Sequence, residues 1–165
     1  MSKRIRLDRT DLRILDMLQR QGRLSNARLA SEVGLSESAC FQRVKRLEKC
    51  GVITGYQTTI EPRMLGPSIT VITAVVLESG KPVDYRKFET LVARVPEIVD
   101  CSLVTGQYDY VLKVHARDLD TYTQIMESVV REHGRVNQYF SHAVMRHVKH
   151  EPLQASRLSM RDDEG

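Results

Sequence analysis

The segment from Ser25 to Tyr56 constrains the fold of this chain more than any other. It reads SNARLASEVGLSESACFQRVKRLEKCGVITGY. Ser25 and Ser36 each precede residues with the spacing of a helix, and serine is a favoured N-cap residue. Gly34 interrupts the first pattern and Gly51 follows the second, as expected where helices end. Two short helices joined by a tight turn, the second of them basic, predict a helix-turn-helix.

The predicted second helix has two chemically different faces. At about 100° per residue, one face is apolar and is expected to pack on the other helices; it contains Cys40, Val44 and Leu47. The opposite face carries hydroxyl, amide and cationic groups, which belong to Ser38, Gln42, Lys45 and Lys49. Phe41 and Arg46 lie at the flanks of this face. Such a face can bond base edges and neutralise phosphates in a major groove. A solvated polar face without a partner is the alternative.

The positive charge of the chain is concentrated in its N-terminal part. The formal net charge is +4, with 12 Lys and Arg against 6 Asp and Glu in residues 1–60, and 13 against 15 in residues 61–165. A cationic segment favours a polyanionic partner. We therefore expect the part that contains the helix-turn-helix, and not the remainder, to bind nucleic acid.

Composition argues for a reduced, cytoplasmic protein. The longest apolar run, Ile69–Leu77, is too short to span a bilayer, and no apolar stretch follows the N-terminal cations as in a signal peptide. The three cysteines, Cys40, Cys50 and Cys101, show no C-x-x-C spacing. We expect reduced structural thiols.

A further helix is predicted ahead of the helix-turn-helix. It begins at Asp8, with Asp11 in its first turn, and ends near Gly22, and its leucine stripe can cover the next two helices. Residues 51–60 are rich in strand-forming side chains and are expected to form a short strand or a hinge. Together these elements predict a trihelical or winged-helix-like DNA-binding domain over residues 1–60.

Residues 61–150 follow a different pattern, which predicts a second domain. The order is βαββαβ. It begins with strand Ile69–Leu77, a helix from Tyr85 to Arg94 capped by Asp84, and strand Ile98–Val104, in which Val99, Cys101 and Leu103 alternate with Asp100 and Ser102. It continues with a strand in which Tyr110, Leu112, Val114 and Ala116 alternate, a helix capped by Asp118 and ended near Gly134, and strand Val136–Val148. This order is typical of a ferredoxin-like sandwich, with helices on one face of an antiparallel sheet. The fold class is therefore α+β, and residues 151–165 are expected to form a flexible tail.

The first predicted strand has apolar side chains on both faces. Val71 and Val75 point to one side, and Ile72 and Val76 point to the other. Helices can cover only one face, so we expect the second face to meet the sheet of another subunit. Burial of that face by loops of the same subunit is the alternative.

The chain resembles the leucine-responsive regulatory protein/AsnC family, also called the feast/famine transcription regulators. Two motifs in the right order, within residues 8–150, carry the resemblance. The second is the segment CSLVTGQYDY at 101–110. The first comprises Asp8, Asp11, Ile14-Leu15, Gly22-Arg23, Leu35-Ser36, Arg43-Val44, Arg46-Leu47-Glu48, Gly51-Val52-Ile53 and Gly55-Tyr56.

The resemblance implies a sequence-specific DNA-binding transcription regulator of amino-acid metabolism genes, associated with the prokaryotic nucleoid. It also implies an effector, usually an amino acid, bound between dimers near the turn from Gly106 to Tyr110, with no further cofactor and no metal. Dimers are expected to form through the C-terminal sheets and to assemble into tetramers or octamers.

Six residues are predicted to contact DNA: Ser36, Ser38, Gln42, Arg43, Lys45 and Arg46. Cationic side chains on phosphates should dominate the affinity and make it sensitive to salt. Gln42 and Ser38 are better placed to read bases, whereas Arg43, nearer the packed side, is expected to anchor phosphate or a helix terminus. A symmetric dimer predicts a pseudo-palindromic operator with half-sites about one helical turn apart.

Five residues are predicted to bind the effector: Thr105, Gly106, Tyr108, Asp109 and Tyr110. Exposed backbone N–H groups of a glycine turn can hold a carboxylate, and Asp109 can hold an ammonium group or order the turn. From spacing alone, a hairpin turn in which Tyr108 and Tyr110 only pack is the simpler interpretation, and the resemblance favours the effector site.

Three other kinds of function are open to such a sequence. An enzyme is disfavoured because the sequence contains none of the common nucleophile, nucleotide or dinucleotide motifs. A metal site is disfavoured as well, because His142 and His150 share one strand face but lie far apart and His147 points the other way. An RNA-binding sheet would need exposed aromatic residues on its central strand, and the strand 69–77 has none. An architectural protein that wraps DNA without a ligand remains the main alternative.

Overall fold

The computed structural model describes residues 6–149, 151 and 154–159. The chain forms two compact units, Met1–Thr59 with Lys149–Gly165, and Ile60–Val148. The first unit therefore includes C-terminal residues that the sequence assigned to a separate tail. Among the described residues, no helix has the length and apolar character needed to cross a membrane.

Three N-capped helices form the first unit: α1 (Arg9–Arg20), α2 (Asn26–Val33) and α3 (Glu37–Lys49). Asp8 and Asp11 form a reciprocal capping box at the start of α1, each carboxylate accepting the other's backbone N–H. Ser25 and Ser36 cap α2 and α3. Gly34 has φ +72°, a left-handed conformation that lets α2 end and the chain enter α3. The predicted helix-turn-helix is confirmed.

The core of the first unit is built from aliphatic side chains and one cysteine. Ile14, Leu29 and Val33 pack with Cys40 and Leu47 of α3, and each is at least 95% buried. The predicted apolar faces of the three helices therefore meet as expected.

Residues 51–60 contain no strand, so the strand interpretation of this segment is wrong. The backbone N–H groups of Val52 and Ile53 both donate to the carbonyl of Leu47, at 3.0 and 3.1 Å. The chain folds back on the end of α3, and these donors are no longer available to a neighbouring strand. The β-forming side chains of Val52 and Ile53 pack against the helical core instead.

A short helix, α6 (Ala155–Ser159), packs against α1. The backbone N–H of Ser156 donates to Asp16 at 3.3 Å, and Ala155 packs against the aliphatic core of the first unit. The predicted flexible tail is therefore wrong for residues 155–159. Residues 150, 152–153 and 160–165, also predicted as domain end or tail, lie outside the described residues.

The second unit has the predicted βαββαβ order: β1 (Ile69–Leu77), α4 (Pro82–Val92), β2 (Ile98–Leu103), β3 (Tyr110–Ala116), α5 (Leu119–His133) and β4 (Val136–Ala143). The sheet order is β2-β3-β1-β4, and every neighbouring pair is antiparallel. Together with the helical first unit, this confirms the α+β class.

Three details of the second unit differ from prediction. Helix α4 begins at Pro82 rather than Tyr85, so Asp84 lies in its first turn and Lys81 occupies the N-cap position. Strand β4 ends at Ala143 rather than Val148. In β2 the apolar–polar alternation fails, because the pairing with β3 shifts at Val99 and leaves that side chain exposed.

Both helices cover the same face of the sheet. Phe88 of α4 and Met126 of α5 are fully buried against Val75 of β1 and Leu112 of β3. The opposite face, here called the outer face, contains Ile72, Ala74 and Val76 of β1 beside Phe140 of β4. Ile72 and Val76 stay only partly buried, and Phe140 is 37% exposed.

Candidate functional site

The exposed surface of α3 brings together the uncharged residues predicted to contact DNA. Ser38 and Gln42 are both exposed, one turn apart. Ser36 is exposed as well, but its hydroxyl oxygen already accepts the backbone N–H of Ala39 at 3.3 Å as the N-cap. The hydroxyl of Ser38 and the amide of Gln42 are therefore the groups best placed to bond base edges.

Arg43 and Arg46 reach across to α1. Arg43 Nη1 lies 2.6 Å from Asp8 Oδ2 and 2.9 Å from Asp11 Oδ1, and Arg46 Nη2 lies 2.5 Å from Asp11 Oδ2. The Asp11 side chain is 1% exposed, so its charge depends on these two cations. The guanidinium of Arg43 and the capping N–H of Asp11 together lower the pKa of Asp8. In the free protein both arginines hold the recognition helix against the start of α1.

Lys45 belongs to a row of interacting side chains along one flank of α3. Its Nζ lies 5.7 Å from the centre of the Phe41 ring and 2.9 Å from Glu48 Oε2. The hydroxyl of Tyr56 donates to Glu48 Oε1 at 3.0 Å. The Lys45 side chain is 57% exposed, and so solvated an ion pair is weak. Lys45 can therefore exchange Glu48 for a phosphate at little cost.

The predicted effector turn connects β2 to β3 and protrudes at its tip. Thr105 and Gly106 are exposed. Gly106 has φ +116°, and no atom lies within 4 Å of the position a Cβ would take. This conformation favours glycine, and the open space leaves the neighbouring backbone accessible to a ligand.

Asp109 is engaged within its own subunit. Its Oδ2 accepts the backbone N–H of Leu77 at 2.8 Å, and its Oδ1 accepts the hydroxyl of Tyr85 at 2.9 Å. Its backbone N–H donates to Val75, and its carbonyl accepts from Val104. The bond to Asp109 raises the pKa of the Tyr85 hydroxyl. Asp109 therefore orders the turn and fixes it to β1 and α4.

The two predicted tyrosines occupy different environments. Tyr110 is 1% exposed, its ring centre is 4.7 Å from that of Phe88, and its hydroxyl donates to Glu89. Burial raises the pKa of Tyr110, and the side chain is a core residue of the isolated subunit. Tyr108 is only partly buried, with its ring centre 5.5 Å from that of Phe140.

Several partners in these sites were missed from the sequence. The partners of Arg43 and Arg46 at the start of α1 are 32 to 35 residues away, too distant for any local pattern to reveal. The helical pattern that begins at Tyr85 gives no sign of the bond from its hydroxyl to Asp109. Among the described residues, no group of three or more His, Cys, Asp or Glu is arranged to hold a metal ion.

The chain joins a helix-turn-helix unit to a βαββαβ unit whose β2–β3 turn has an open backbone at Gly106. Residues 7–54 match the family model for winged helix-turn-helix DNA-binding domains, and residues 70–154 match that for the Lrp/AsnC ligand-binding domain. The chain belongs to the Lrp/AsnC family, whose members are transcription regulators rather than enzymes.

Relatives and solved structures agree with this assignment. The chain is 39% identical over 143 residues to the leucine-responsive regulatory protein of Haemophilus influenzae, covering 87% of this chain and 86% of that protein. It is 40% identical over 144 residues to that of Escherichia coli K12, covering 87% of each. The crystal structure of a transcriptional regulator from Neisseria meningitidis in complex with L-Met superposes with TM-score 0.86 at 29% identity, covering 93% of this chain and 99% of that one.

Proposed function

We propose that this protein is a sequence-specific DNA-binding regulator of amino-acid metabolism genes in the cytoplasm, associated with the nucleoid. The observation that carries the DNA-binding part is the surface of α3. Ser38 and Gln42 are exposed, and Lys45 and Lys49 lie on the same side of the helix. Donors, acceptors and cations on one helix face match what a major groove offers.

The base-reading part of this proposal rests on Gln42 and Ser38, because the arginines are engaged elsewhere. Gln42 can bond adenine through both N6 and N7, which a serine or alanine cannot. Changing Gln42 to Ala should lower the affinity for an operator that the wild-type protein selects from random duplexes, and should leave the affinity for unrelated duplex DNA unchanged. Lys49→Ala serves as the matched control, because it should weaken both duplexes alike through the loss of a phosphate contact. A fluorescence anisotropy titration in which Gln42→Ala keeps full operator preference would contradict this assignment.

The protein assembles, on this proposal, through the outer face of its sheet. Ile72, Val76 and Phe140 leave this face partly apolar and covered by neither α4 nor α5. Pairing of two such faces removes apolar area from water and gives a symmetric dimer, and dimers then associate into tetramers or octamers. Sedimentation of the purified protein tests this. A monomer at micromolar concentration contradicts it, and Ile72→Glu should lower the association state with little effect on the fold.

The effector of the proposed regulator is an amino acid bound at a subunit interface near the turn from Thr105 to Tyr110. Support comes from the open backbone at Gly106, from the match to a ligand-binding domain, and from the relative crystallised with L-Met. The engaged carboxylate of Asp109 leaves backbone N–H groups of the turn as donors for the carboxylate of the effector. Calorimetric titration of each of the twenty amino acids tests the site, with a Gly106→Val variant as the control that should lose the heat.

Effector binding and DNA binding are coupled in this proposal. If the effector changes operator affinity by some factor, the operator changes effector affinity by the same factor. Measuring both on the same protein therefore gives an internal check, and a mismatch contradicts a single linked equilibrium.

An architectural protein that wraps DNA without a ligand is the second candidate. The observation in its favour is that both carboxylate oxygens of Asp109 accept bonds from the protein and that Tyr110 is buried. Without an effector, no amino acid should alter sedimentation or operator affinity. Binding heat from any one of the twenty decides against this candidate.

A further inference from the structure

The first unit has two aromatic residues, Phe41 and Tyr56, and neither belongs to its core. Phe41 is 47% exposed and Tyr56 is 54% exposed. The buried residues described in the first unit are aliphatic, apart from Cys40 and the capping residue Asp11. A single exposed aromatic ring is common on protein surfaces, so the place of Phe41 on α3, rather than its exposure alone, indicates a role outside the core.

Phe41 occupies the part of α3 that a recognition helix presents to base edges. It is the fifth residue of the helix, one position before Gln42 and one turn after Glu37. In helix-turn-helix proteins, residues in the N-terminal half of the recognition helix contact the bases in the major groove. Phe41 lies at the flank of the face formed by Ser38, Gln42 and Lys45.

The ring of Phe41 has a cationic neighbour on one side. Lys45 Nζ lies 5.7 Å from the ring centre, within the range of a cation–π interaction. The remaining exposed part of the ring is an apolar surface on an otherwise polar and cationic helix face.

A major groove offers one apolar group at its base edges, the C5-methyl group of thymine. We propose that Phe41 is a specificity residue whose ring contacts the methyl group of one thymine in each half-site of the operator. This inference rests on the proposed function. It also fits the neighbouring Gln42, whose amide is suited to adenine, so the two side chains together favour A·T pairs.

Replacing thymine by uracil removes the methyl group and keeps every hydrogen-bonding group of the base. The operator is first selected from random duplexes by the wild-type protein, and each thymine of one half-site is then replaced by uracil in turn. Fluorescence anisotropy titrations compare wild-type protein with Phe41→Ala and Phe41→Leu on every duplex. Circular dichroism confirms that the variants are folded, which is expected for an exposed position.

For the wild-type protein, uracil at one thymine position should weaken binding by about fourfold per half-site, because the free energy gained by burying one methyl group is lost. For Phe41→Ala, the thymine and uracil duplexes should bind equally at that position. Phe41→Leu should retain part of the difference. Lys49→Ala should weaken both duplexes by the same factor and reduce the salt dependence by about one counterion, leaving the thymine-to-uracil ratio unchanged.

Two results would overturn the inference while leaving DNA recognition by α3 intact. The wild-type protein could bind its operator without any thymine-to-uracil effect. Alternatively, the thymine-to-uracil ratio of the wild-type protein could persist in Phe41→Ala, so that another side chain reads the methyl group and the ring at most positions Lys45. Failure of the wild-type protein to select any duplex at low salt instead contradicts the proposed function itself.

Discussion

Changing Asp11 to Asn should destabilise the first unit strongly. The Asp11 carboxylate is 1% exposed and accepts three hydrogen bonds, from the backbone N–H of Asp8 and from Arg43 and Arg46. Asparagine keeps the size and one acceptor oxygen but turns an NH₂ group toward a guanidinium. The bonds from Arg43 and Arg46 both lose their charged acceptor, and one of them loses its acceptor altogether; a charge-assisted bond contributes about 1.5–3 kcal/mol.

Solvent reduces that loss, because the Arg43 and Arg46 side chains are 31% and 47% exposed. Discounting the two bonds by about half leaves a destabilisation of about 1.5–3 kcal/mol. For a unit of this size the corresponding decrease in melting temperature is about 6–24 °C. The free energy of unfolding of the first unit should therefore fall by a large share of its total.

Native-state hydrogen exchange with mass spectrometry can localise this effect. Peptides from α1 and α3 should lose about 1.5–3 kcal/mol of protection, whereas peptides from β1 and β3 should not change. Glu32→Gln is the matched control, since it neutralises an exposed carboxylate of the same unit and should alter stability by less than about 0.5 kcal/mol. The reasoning fails if Asp11→Asn behaves like this control, or if protection falls equally in the sheet.

Three further predictions concern other contacts. The bond from Arg43 lowers the pKa of Asp8 in the folded state. The stabilisation of the first unit by the Asp8 carboxylate is therefore complete above the unfolded pKa of about 3.9, and it is lost as pH falls through the lower pKa of the folded state. An acid titration followed by the helix signal of α1 should show this loss, and Asp8→Asn should flatten the titration curve. Ala155→Asp should destabilise the first unit by about 1 kcal/mol in urea titrations by placing a charge against its core, whereas exposed Arg157→Ala should not. Gly106→Ala should destabilise the second unit by about 1–2 kcal/mol in the same assay because of its positive φ rather than a clash; an unchanged midpoint would show that the turn relaxes.

Elements defined by local signals were predictable from the sequence. The capping residues Asp8, Ser25 and Ser36 place the starts of α1 to α3 correctly, because an N-cap acts through neighbours three residues away. The alternation in β3 also matches the structure, since that strand lies inside the sheet with one face on the core. The predicted contacts of α3 with DNA and of the turn with an effector stay predictions.

Features that depend on distant partners were not predictable. Helix α4 begins at Pro82 because proline suits the first helical position, and this preference overrides Asp84 as a cap. Strand β4 ends at Ala143, which pairs with Val71 of β1, although strand-forming residues continue beyond it. The pairing of Arg43 with Asp11 joins residues 32 positions apart, and the amphipathic pattern of α3 gives no sign of it.

Because α6 returns from the far end of the chain to pack on α1, the DNA-binding unit is discontinuous in sequence. The polypeptide therefore passes from one unit to the other twice, at residues 59–60 and at residues 148–149. A truncation that removes the residues after Val148 removes α6 and its contacts with α1, and so takes away part of the DNA-binding unit rather than a separate tail.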